Sequence, residues 1–118
     1  MKFLFVDDDP SLSEMMCLFF EKKDDTLVVA DNADSAYDLI KNTSFDSIIL
    51  DLAMPKVSGV DLIYRLNKDG LMDGKKIFVY TAAPFSEKDL NELIENGIVT
   101  WIRKPIPLSK LYELVSAA

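Results

Sequence analysis

Short runs of consecutive apolar residues recur along the chain, and each is separated from the next by a segment of mixed character. The runs occupy residues 3–6, 27–30, 48–50, 77–80 and 98–102. Strands that are buried on both faces of a sheet carry apolar side chains at successive positions, whereas half-exposed strands alternate apolar and polar ones. The pattern therefore predicts five strands in the interior of the protein.

The segments that follow the runs have the periodicity of amphipathic helices. In each segment apolar residues recur at intervals of three or four, which places them on one helical face. The five sets are Leu12, Met15, Met16 and Phe19; Ala33, Ala36, Tyr37 and Ile40; Val60, Ile63 and Tyr64; Leu90, Leu93 and Ile94; and Leu108, Leu111, Tyr112 and Val115. Five strands are thus expected to alternate with five helices.

This strict alternation predicts the fold class. Parallel strands joined by right-handed helical crossovers form a doubly wound α/β domain, with helices on both faces of the sheet. For five strands the expected order is 2-1-3-4-5, and its switch point lies between the first and third strands. With 118 residues, the chain is predicted to be a single domain, residues 1–118, whose function lies just beyond the carboxyl ends of those two strands.

Charge and composition exclude several classes of function. The net charge is −7 and the chain contains no histidine. An acidic surface repels phosphate backbones and anionic lipids, so we expect neither direct nucleic-acid binding by this segment nor membrane binding. Without histidine, the chain lacks Ser-His and Cys-His nucleophile pairs and histidine metal ligands.

The cysteine content and the length of the apolar runs favour a cytoplasmic location. Cys17 is the only cysteine, so an internal disulfide is impossible and a reducing compartment is expected. Cys17 lies in the segment EMMCLFF, where we expect a buried structural thiol. The apolar runs are too short to span a bilayer, and residues 1–6 are too short to act as a signal peptide.

Polar side chains of complementary charge follow the predicted strands. Asp7 and Asp8 follow the first strand, Asp51 follows the third, Thr81 ends the fourth and Lys104 comes after the fifth. Neighbouring strands lie about 4.8 Å apart, so the carboxylates after the first and third strands should converge. One edge of the sheet is thus expected to combine an acidic cluster with a hydroxyl group and an ammonium group.

Carboxylates this close together predict a cation site. Two unit charges 4 Å apart repel by about 1 kcal/mol in water and by about 4 kcal/mol at an effective dielectric constant of 20. Mg²⁺ removes this repulsion and prefers oxygen ligands, which Asp8, Asp51 and the backbone carbonyl of Ala53 can supply. With Lys104 and Thr81 available to anionic oxygens, such a site is suited to accept a phosphoryl group on Asp51 as the nucleophile.

The chain resembles the receiver domain of two-component response regulators over essentially its full length. The matching residues are Asp7-Asp8 after the first strand, Asp51 in ILDLAMPKVSG, Thr81-Ala82 in VYTAA, and Lys104-Pro105 in WIRKP. The resemblance implies a flavodoxin-like (β/α)5 fold and phosphorylation of Asp51 by a histidine kinase or a histidine phosphotransfer protein. The phosphorylated domain would then change its binding to a downstream effector domain or protein.

The same resemblance implies a role for each site residue. Mg²⁺ would be bound by Asp8 and Asp51 directly, by the Ala53 carbonyl, and by Asp7 through water. The residues that would bind or respond to the phosphoryl group are Lys104, Thr81, Ala82 and Trp101, the last at the position of the family's switch aromatic. The Lys104–Pro105 bond is expected to be cis.

Some residues depart from the family pattern or have no assigned role. Trp101 replaces the more usual tyrosine or phenylalanine, and Val99 and Thr100 replace acids that often precede it in receivers that dimerise. Asp9 is interpreted as a charge on the rim of the site. Asp31, after the second strand, is given no function, and Phe85 is either an exposed partner contact or a buried residue.

Two other functions are compatible with an α/β domain that carries this cluster. A Mg²⁺-dependent aspartyl-phosphate phosphohydrolase would need a second acid two residues after the nucleophile, where this chain has Ala53. A receiver-like interaction module without phosphorylation would have no need for Asp51, Thr81 and Lys104 together. The sequence therefore favours a phosphorylation-controlled signalling switch over an enzyme that turns over a substrate.

Overall fold

A computed structural model of the chain describes residues 1–51, 59–72, 74–81, 88, 91–92, 95 and 100–117. The strands are β1 (Lys2–Val6), β2 (Thr26–Ala30), β3 (Ser47–Leu50), β4 (Ile77–Thr81) and β5 (Thr100–Arg103). The helices are α1 (Pro10–Glu21), α2 (Ala33–Asn42), α3 (Gly59–Lys68) and α4 (Leu108–Ser116). Lys88, Asn91, Glu92 and Glu95 also have helical backbone conformation.

The five strands form one parallel sheet in the order β2-β1-β3-β4-β5. This confirms the predicted α/β class, the strand order and the position of the switch point. The first four predicted strands agree with the observed ones to within one residue at each end. The fifth strand was predicted over 98–102, whereas β5 is Thr100–Arg103, and residues 98 and 99 lie outside the described residues. The fourth predicted helix, which is not α4, contains Leu90, Leu93 and Ile94, and these three residues also lie outside the described residues.

Two hydrophobic clusters cover the two faces of the sheet. Side chains alternate between the two faces along each strand. Leu4 and Val6 therefore belong to one cluster, together with residues of α2 and α3. Phe3 and Phe5 belong to the other cluster, together with residues of α1 and α4. In the second cluster the rings of Phe3 and Phe20 pack edge to face with centroids 5.0 Å apart. Each fully buried side chain of this size contributes about 2–3 kcal/mol. The doubly wound arrangement follows directly from this two-sided burial.

The N-terminus of α1 explains a residue whose role the sequence analysis did not identify. Asp9 is the N-cap, and its Oδ1 accepts hydrogen bonds from the backbone N–H groups of Ser11 (3.0 Å) and Leu12 (3.3 Å). Pro10 occupies the first helical position, where its missing N–H costs nothing. Asp9 therefore begins the helix that follows the predicted acidic cluster, rather than serving only as a rim charge.

Three apolar positions are more exposed than their helical spacing predicts. Met15 is 54% exposed and Tyr64 is 41% exposed, and Cys17 is half-buried rather than buried. In α1 the buried residues are Ser13, Met16 and Phe20, and of these only Met16 belongs to the predicted set. Burial and the nearby charge of Glu21 raise the pKa of the Cys17 thiol, so it is a weaker nucleophile than an ordinary cysteine.

Within the described ranges, no helix combines the length and the apolar composition that crossing a membrane requires.

Candidate functional site

Backbone hydrogen bonds continue past the strand ends and position the acidic residues. The N–H of Asp51 donates to the carbonyl of Val6 (2.9 Å), and the N–H of Asp7 donates to the carbonyl of Ala30 (3.1 Å). Since β1 lies between β2 and β3, these bonds hold Asp7 and Asp51 side by side at the switch point. The expected convergence of the two strand ends is therefore present in the fold.

Asp7, Asp8 and Asp51 form a three-carboxylate cluster in which one oxygen from each lies within 4.8 Å of the others. Asp7 and Asp51 are buried, whereas Asp8 is exposed. At 4.8 Å two carboxylates repel by about 0.9 kcal/mol in water and by about 3.5 kcal/mol at an effective dielectric constant of 20. A hard donor set with one exposed member fits a Mg²⁺ ion that keeps several of its waters.

Lys104 lies against the buried half of the cluster. Its Nζ is 2.9 Å from Asp7 Oδ2 and 3.8 Å from Asp51 Oδ2. Burial by itself lowers the pKa of Lys104, but the hydrogen bond to Asp7 and the charges of Asp51 and Asp7 outweigh it, so the pKa lies above its ordinary value. The ammonium group is therefore charged at neutral pH and offsets part of the carboxylate repulsion.

Both carboxylate oxygens of Asp7 accept hydrogen bonds from protein groups. Its Oδ1 accepts the backbone N–H of Asp9 at 2.9 Å, and its Oδ2 accepts a hydrogen bond from Lys104. Asp9 thus holds the Asp7 carboxylate through its main chain while its side chain caps α1. The sequence contained a signal for this arrangement, because an aspartate directly before a proline at the start of an apolar periodic segment is typical of a helix N-terminus.

Two further predicted features lie at the carboxyl ends of β4 and β5. Thr81 is the last residue of β4 and is fully buried, and its carbonyl accepts the backbone N–H of Lys104 at 3.0 Å. The Lys104–Pro105 peptide bond is cis. The remaining predicted positions, Ala53, Ala82 and Phe85, lie outside the described residues.

Trp101 is half-buried in β5 and packs against the hydrophobic cluster that includes Leu4 and Val6. The guanidinium carbon of Arg103 is 4.8 Å from the centroid of the indole ring, which is within the range of a cation–π interaction. The indole N–H is buried, and among the described residues it has no hydrogen-bond partner. Movement of this ring would therefore break no hydrogen bond between the indole nitrogen and a described residue.

Comparison with known proteins gives a consistent result. The family model of the response regulator receiver domain matches residues 3–116. The DNA-binding response regulator MtrA of Mycolicibacterium smegmatis is 31% identical over 117 residues, which cover 98% of this chain and 49% of MtrA. The chain spans about half the length of most of the curated relatives it matches.

Solved structures resemble the fold over almost the whole chain. The BeF3-activated N-terminal receiver domain of Klebsiella pneumoniae RstA has a TM-score of 0.84 at 26% identity, covering 99% of this chain and 97% of that one. Thermotoga maritima TrrA, in complex with Mg²⁺ and BeF, has a TM-score of 0.81 at 24% identity, covering 98% and 96%. At 24% identity, the resemblance to TrrA is a resemblance of fold alone.

Proposed function

Because the chain belongs to the family of response regulator receiver domains, we propose that it is a phosphoacceptor switch in which Asp51 takes a phosphoryl group from a histidine kinase or a histidine phosphotransfer protein. Members of this family are signalling switches rather than classical enzymes. The observation that carries the proposal is the position of Asp51, a buried carboxylate within 4.8 Å of Asp7 and Asp8 and 3.8 Å from the ammonium group of Lys104.

The proposed reaction is an in-line displacement at phosphorus. A carboxylate oxygen of Asp51 forms the new P–O bond as the P–N bond to the donor imidazole breaks, and the leaving nitrogen keeps the electron pair. Lys104 is placed to bind a phosphoryl oxygen and to neutralise charge that develops there. Thr81 ends the neighbouring strand and is the proposed hydroxyl partner of a second oxygen.

Mg²⁺ is the proposed cofactor, since the acidic cluster supplies hard oxygen ligands. Asp8 and Asp51 would hold it directly, together with the backbone carbonyl of Ala53. Both oxygens of Asp7 already accept hydrogen bonds from protein groups, which supports the proposed contact through water rather than a direct one. When bound, the ion supplies positive charge to the oxygens of the transferred group.

Trp101 is the proposed switch aromatic, coupled to Thr81 and Ala82. Its ring contacts the hydrophobic cluster on one side, and the Arg103 guanidinium lies 4.8 Å from its centroid. Since Trp101 is the only tryptophan, a change in its surroundings should alter the intrinsic fluorescence when Mg²⁺ and a phosphoryl analogue bind. Unchanged emission, with binding established by calorimetry, would contradict a switch role for this ring.

The expected partners follow from the same role. The phosphoryl donor is a histidine kinase or phosphotransfer protein, and the phosphorylated domain acts on a downstream effector domain or protein. The net charge of −7 opposes direct nucleic-acid binding by this segment. We propose that residues 1–118 form a single receiver domain, either standing alone or belonging to a longer regulator, and that it works in the cytoplasm.

Intact-mass measurement tests the proposal. Incubation with acetyl phosphate and Mg²⁺ should add the mass of one phosphoryl group to the chain. Asp51→Asn should show no gain, whereas Asp38→Asn, the same substitution at an exposed position of α2, should react normally. A wild-type mass that does not change, under conditions in which a known receiver is labelled, would overturn the proposed function.

A further inference from the structure

Tyr80, the last residue but one of β4, stands level with the two buried acids in the sheet. Val6, Leu50 and Val79 are aligned in the register of β1, β3 and β4. The three residues that come next along these strands form a row: Asp7, Asp51 and Tyr80. By the alternation of side chains, this row belongs to the face of the sheet that α1 and α4 cover. A buried aromatic ring is thus the neighbour of the acidic pair.

The side chain of Lys104 reaches across this row. Lys104 follows β5, and both β4 and β3 lie between β5 and β1. Its Nζ is nevertheless 2.9 Å from Asp7 Oδ2, at the end of β1. The same Nζ lies over the ring of Tyr80, 4.9 Å from its centroid, which is within the range of a cation–π interaction. The ammonium group therefore contacts a carboxylate and the face of an aromatic ring together.

Tyr80 meets the ammonium group as a neutral ring that is largely withdrawn from water. Tyr80 is only 4% exposed, and the side chain of Lys104 is 20% exposed. Burial raises the pKa of Tyr80, although the charge of Lys104 opposes the shift, so the phenol keeps its proton at neutral pH. The attraction is consequently that of a cation for the negative face of an uncharged ring, and it is strengthened by the removal of both groups from water.

A ring suits this position better than a further hydrogen-bond acceptor would. A lysine side chain is long and flexible, and holding its ammonium group in one place costs rotamer entropy. Asp51 Oδ2 is 3.8 Å from Nζ, which is beyond hydrogen-bond distance. The Tyr80 ring attracts the ammonium group without acting as a conventional acceptor for its three N–H donors. These donors can therefore serve an oxygen atom that arrives at Asp51.

We infer that Tyr80 is a positioning residue of the phosphoacceptor site, and that its ring holds the ammonium group of Lys104 where an oxygen of the group transferred to Asp51 would meet it. The inference rests on the proposed phosphorylation of Asp51. Tyr80 acts through Lys104 and not on the phosphoryl group itself. A cation that is already in place needs little reorganisation when charge develops nearby, so the ring should increase the rate of transfer.

Carbon–proton correlation spectra of the lysine side chains test the contact without any phosphoryl donor. A methylene group over an aromatic ring resonates upfield, so the εCH₂ signal of Lys104, assigned by its loss in Lys104→Met, should move downfield in Tyr80→Leu. Tyr80→Phe keeps a ring and should keep the upfield position. Phe78→Leu makes the same kind of change two residues earlier in the same cluster and should leave the signal in place. A signal that stays in Tyr80→Leu, or that moves as far in Phe78→Leu, would overturn the inference.

The rate at which the chain gains phosphoryl mass tests the functional part. With acetyl phosphate and Mg²⁺, Tyr80→Leu should react about five-fold more slowly than the wild-type protein, equivalent to about 1 kcal/mol. Tyr80→Phe should restore the rate to within about two-fold, and Phe78→Leu should react as fast as the wild-type protein. An unchanged rate in Tyr80→Leu, or equal slowing by Tyr80→Leu and Phe78→Leu, would overturn the positioning role. If circular dichroism shows that Tyr80→Leu does not fold, Tyr80→Met fills the space without a ring and is held to the same outcomes.

The two measurements separate this inference from the proposed function. A wild-type protein that gains no phosphoryl group would overturn the proposed function and the positioning role of Tyr80 together. Labelling of the wild-type protein at Asp51, with no slowing in Tyr80→Leu, would overturn the inference alone.

Discussion

Replacing Asp8 with asparagine should have opposite effects on stability in the absence and in the presence of Mg²⁺. In the metal-free protein Asp8 faces two carboxylates, Asp7 and Asp51, with oxygens within 4.8 Å. Lys104 neutralises roughly one of them, since its Nζ is 2.9 Å from Asp7. Asp8 is therefore repelled by about one carboxylate that no cation neutralises, and at an exposed position this repulsion is about 1 kcal/mol. Asp8→Asn should therefore raise the free energy of unfolding by about 1 kcal/mol in chelator, or about 4 °C in Tm.

With Mg²⁺ the order should reverse. If the dissociation constant is about 1 mM, then about 10 mM Mg²⁺ stabilises the wild-type protein by RT ln 11, about 1.4 kcal/mol. Asp8→Asn loses a direct ligand and should gain little. The wild-type protein should then melt about 1–2 °C above the variant, having melted about 4 °C below it in chelator.

The assay is thermal unfolding followed by circular dichroism in chelator and in Mg²⁺, for the wild-type protein, Asp8→Asn and Asp38→Asn. Asp38→Asn makes the same change in net charge away from the cluster, so it separates local repulsion from the overall charge of −7. Destabilisation of the metal-free protein by Asp8→Asn, or an equal gain from Mg²⁺ in wild-type protein and variant, would refute the reasoning.

Three further substitutions test individual contacts. Lys104→Met leaves Asp7, whose side chain is 1% exposed, without its cation, and it should lower the free energy of unfolding in urea by about 3 kcal/mol at neutral pH. Because the pKa of Lys104 is raised in the fold, the ion pair contributes fully to stability below about pH 10.4. The stability advantage of the wild-type protein should be lost only as the pH rises through the higher pKa of the folded state. Asp9→Ala should lower the free energy of unfolding by about 1 kcal/mol, because it removes the N-cap of α1. Asp9→Asn keeps a side-chain acceptor and should lower it clearly less. Equal losses of stability in the two variants would contradict the capping role of Asp9. Ser13→Ala should raise the free energy of unfolding by about 1 kcal/mol, because it removes an unpartnered buried hydroxyl group and because alanine has the higher helix propensity. A lower free energy of unfolding would mean that the hydroxyl group has a hydrogen-bond partner.

The sheet was predictable because its signal is repeated along the chain. Each run of successive apolar residues can be satisfied only by burial on both faces, and strict alternation with helices leaves few topologies for five parallel strands. The strand ends then follow, and with them the meeting of Asp7, Asp8 and Asp51. Helical faces were less well predicted, because positions three and four residues after an apolar residue, such as Met15 and Met16 after Leu12, both fit one helical face. Packing buries only Met16, and Met15 is 54% exposed.

The details of the site depend on distances that spacing does not encode. Lys104 was expected beside the acidic cluster, but the sequence does not reveal that its ammonium group lies closer to Asp7 (2.9 Å) than to Asp51 (3.8 Å). Tyr80 carried no motif, since an aromatic residue near the end of a buried strand is typical of a hydrophobic core. Only the fold shows that the ammonium group of Lys104 lies over its ring.

Chemical mapping of the modified residue tests the central claim most directly. After treatment with acetyl phosphate and Mg²⁺, borohydride reduces an aspartyl phosphate to homoserine, and peptide fragmentation identifies the position. The account predicts homoserine at position 51, dependent on Mg²⁺ and absent when phosphoryl donor is omitted. Homoserine at another aspartate, or an unmodified Asp51 in protein that has gained phosphoryl mass, would contradict it.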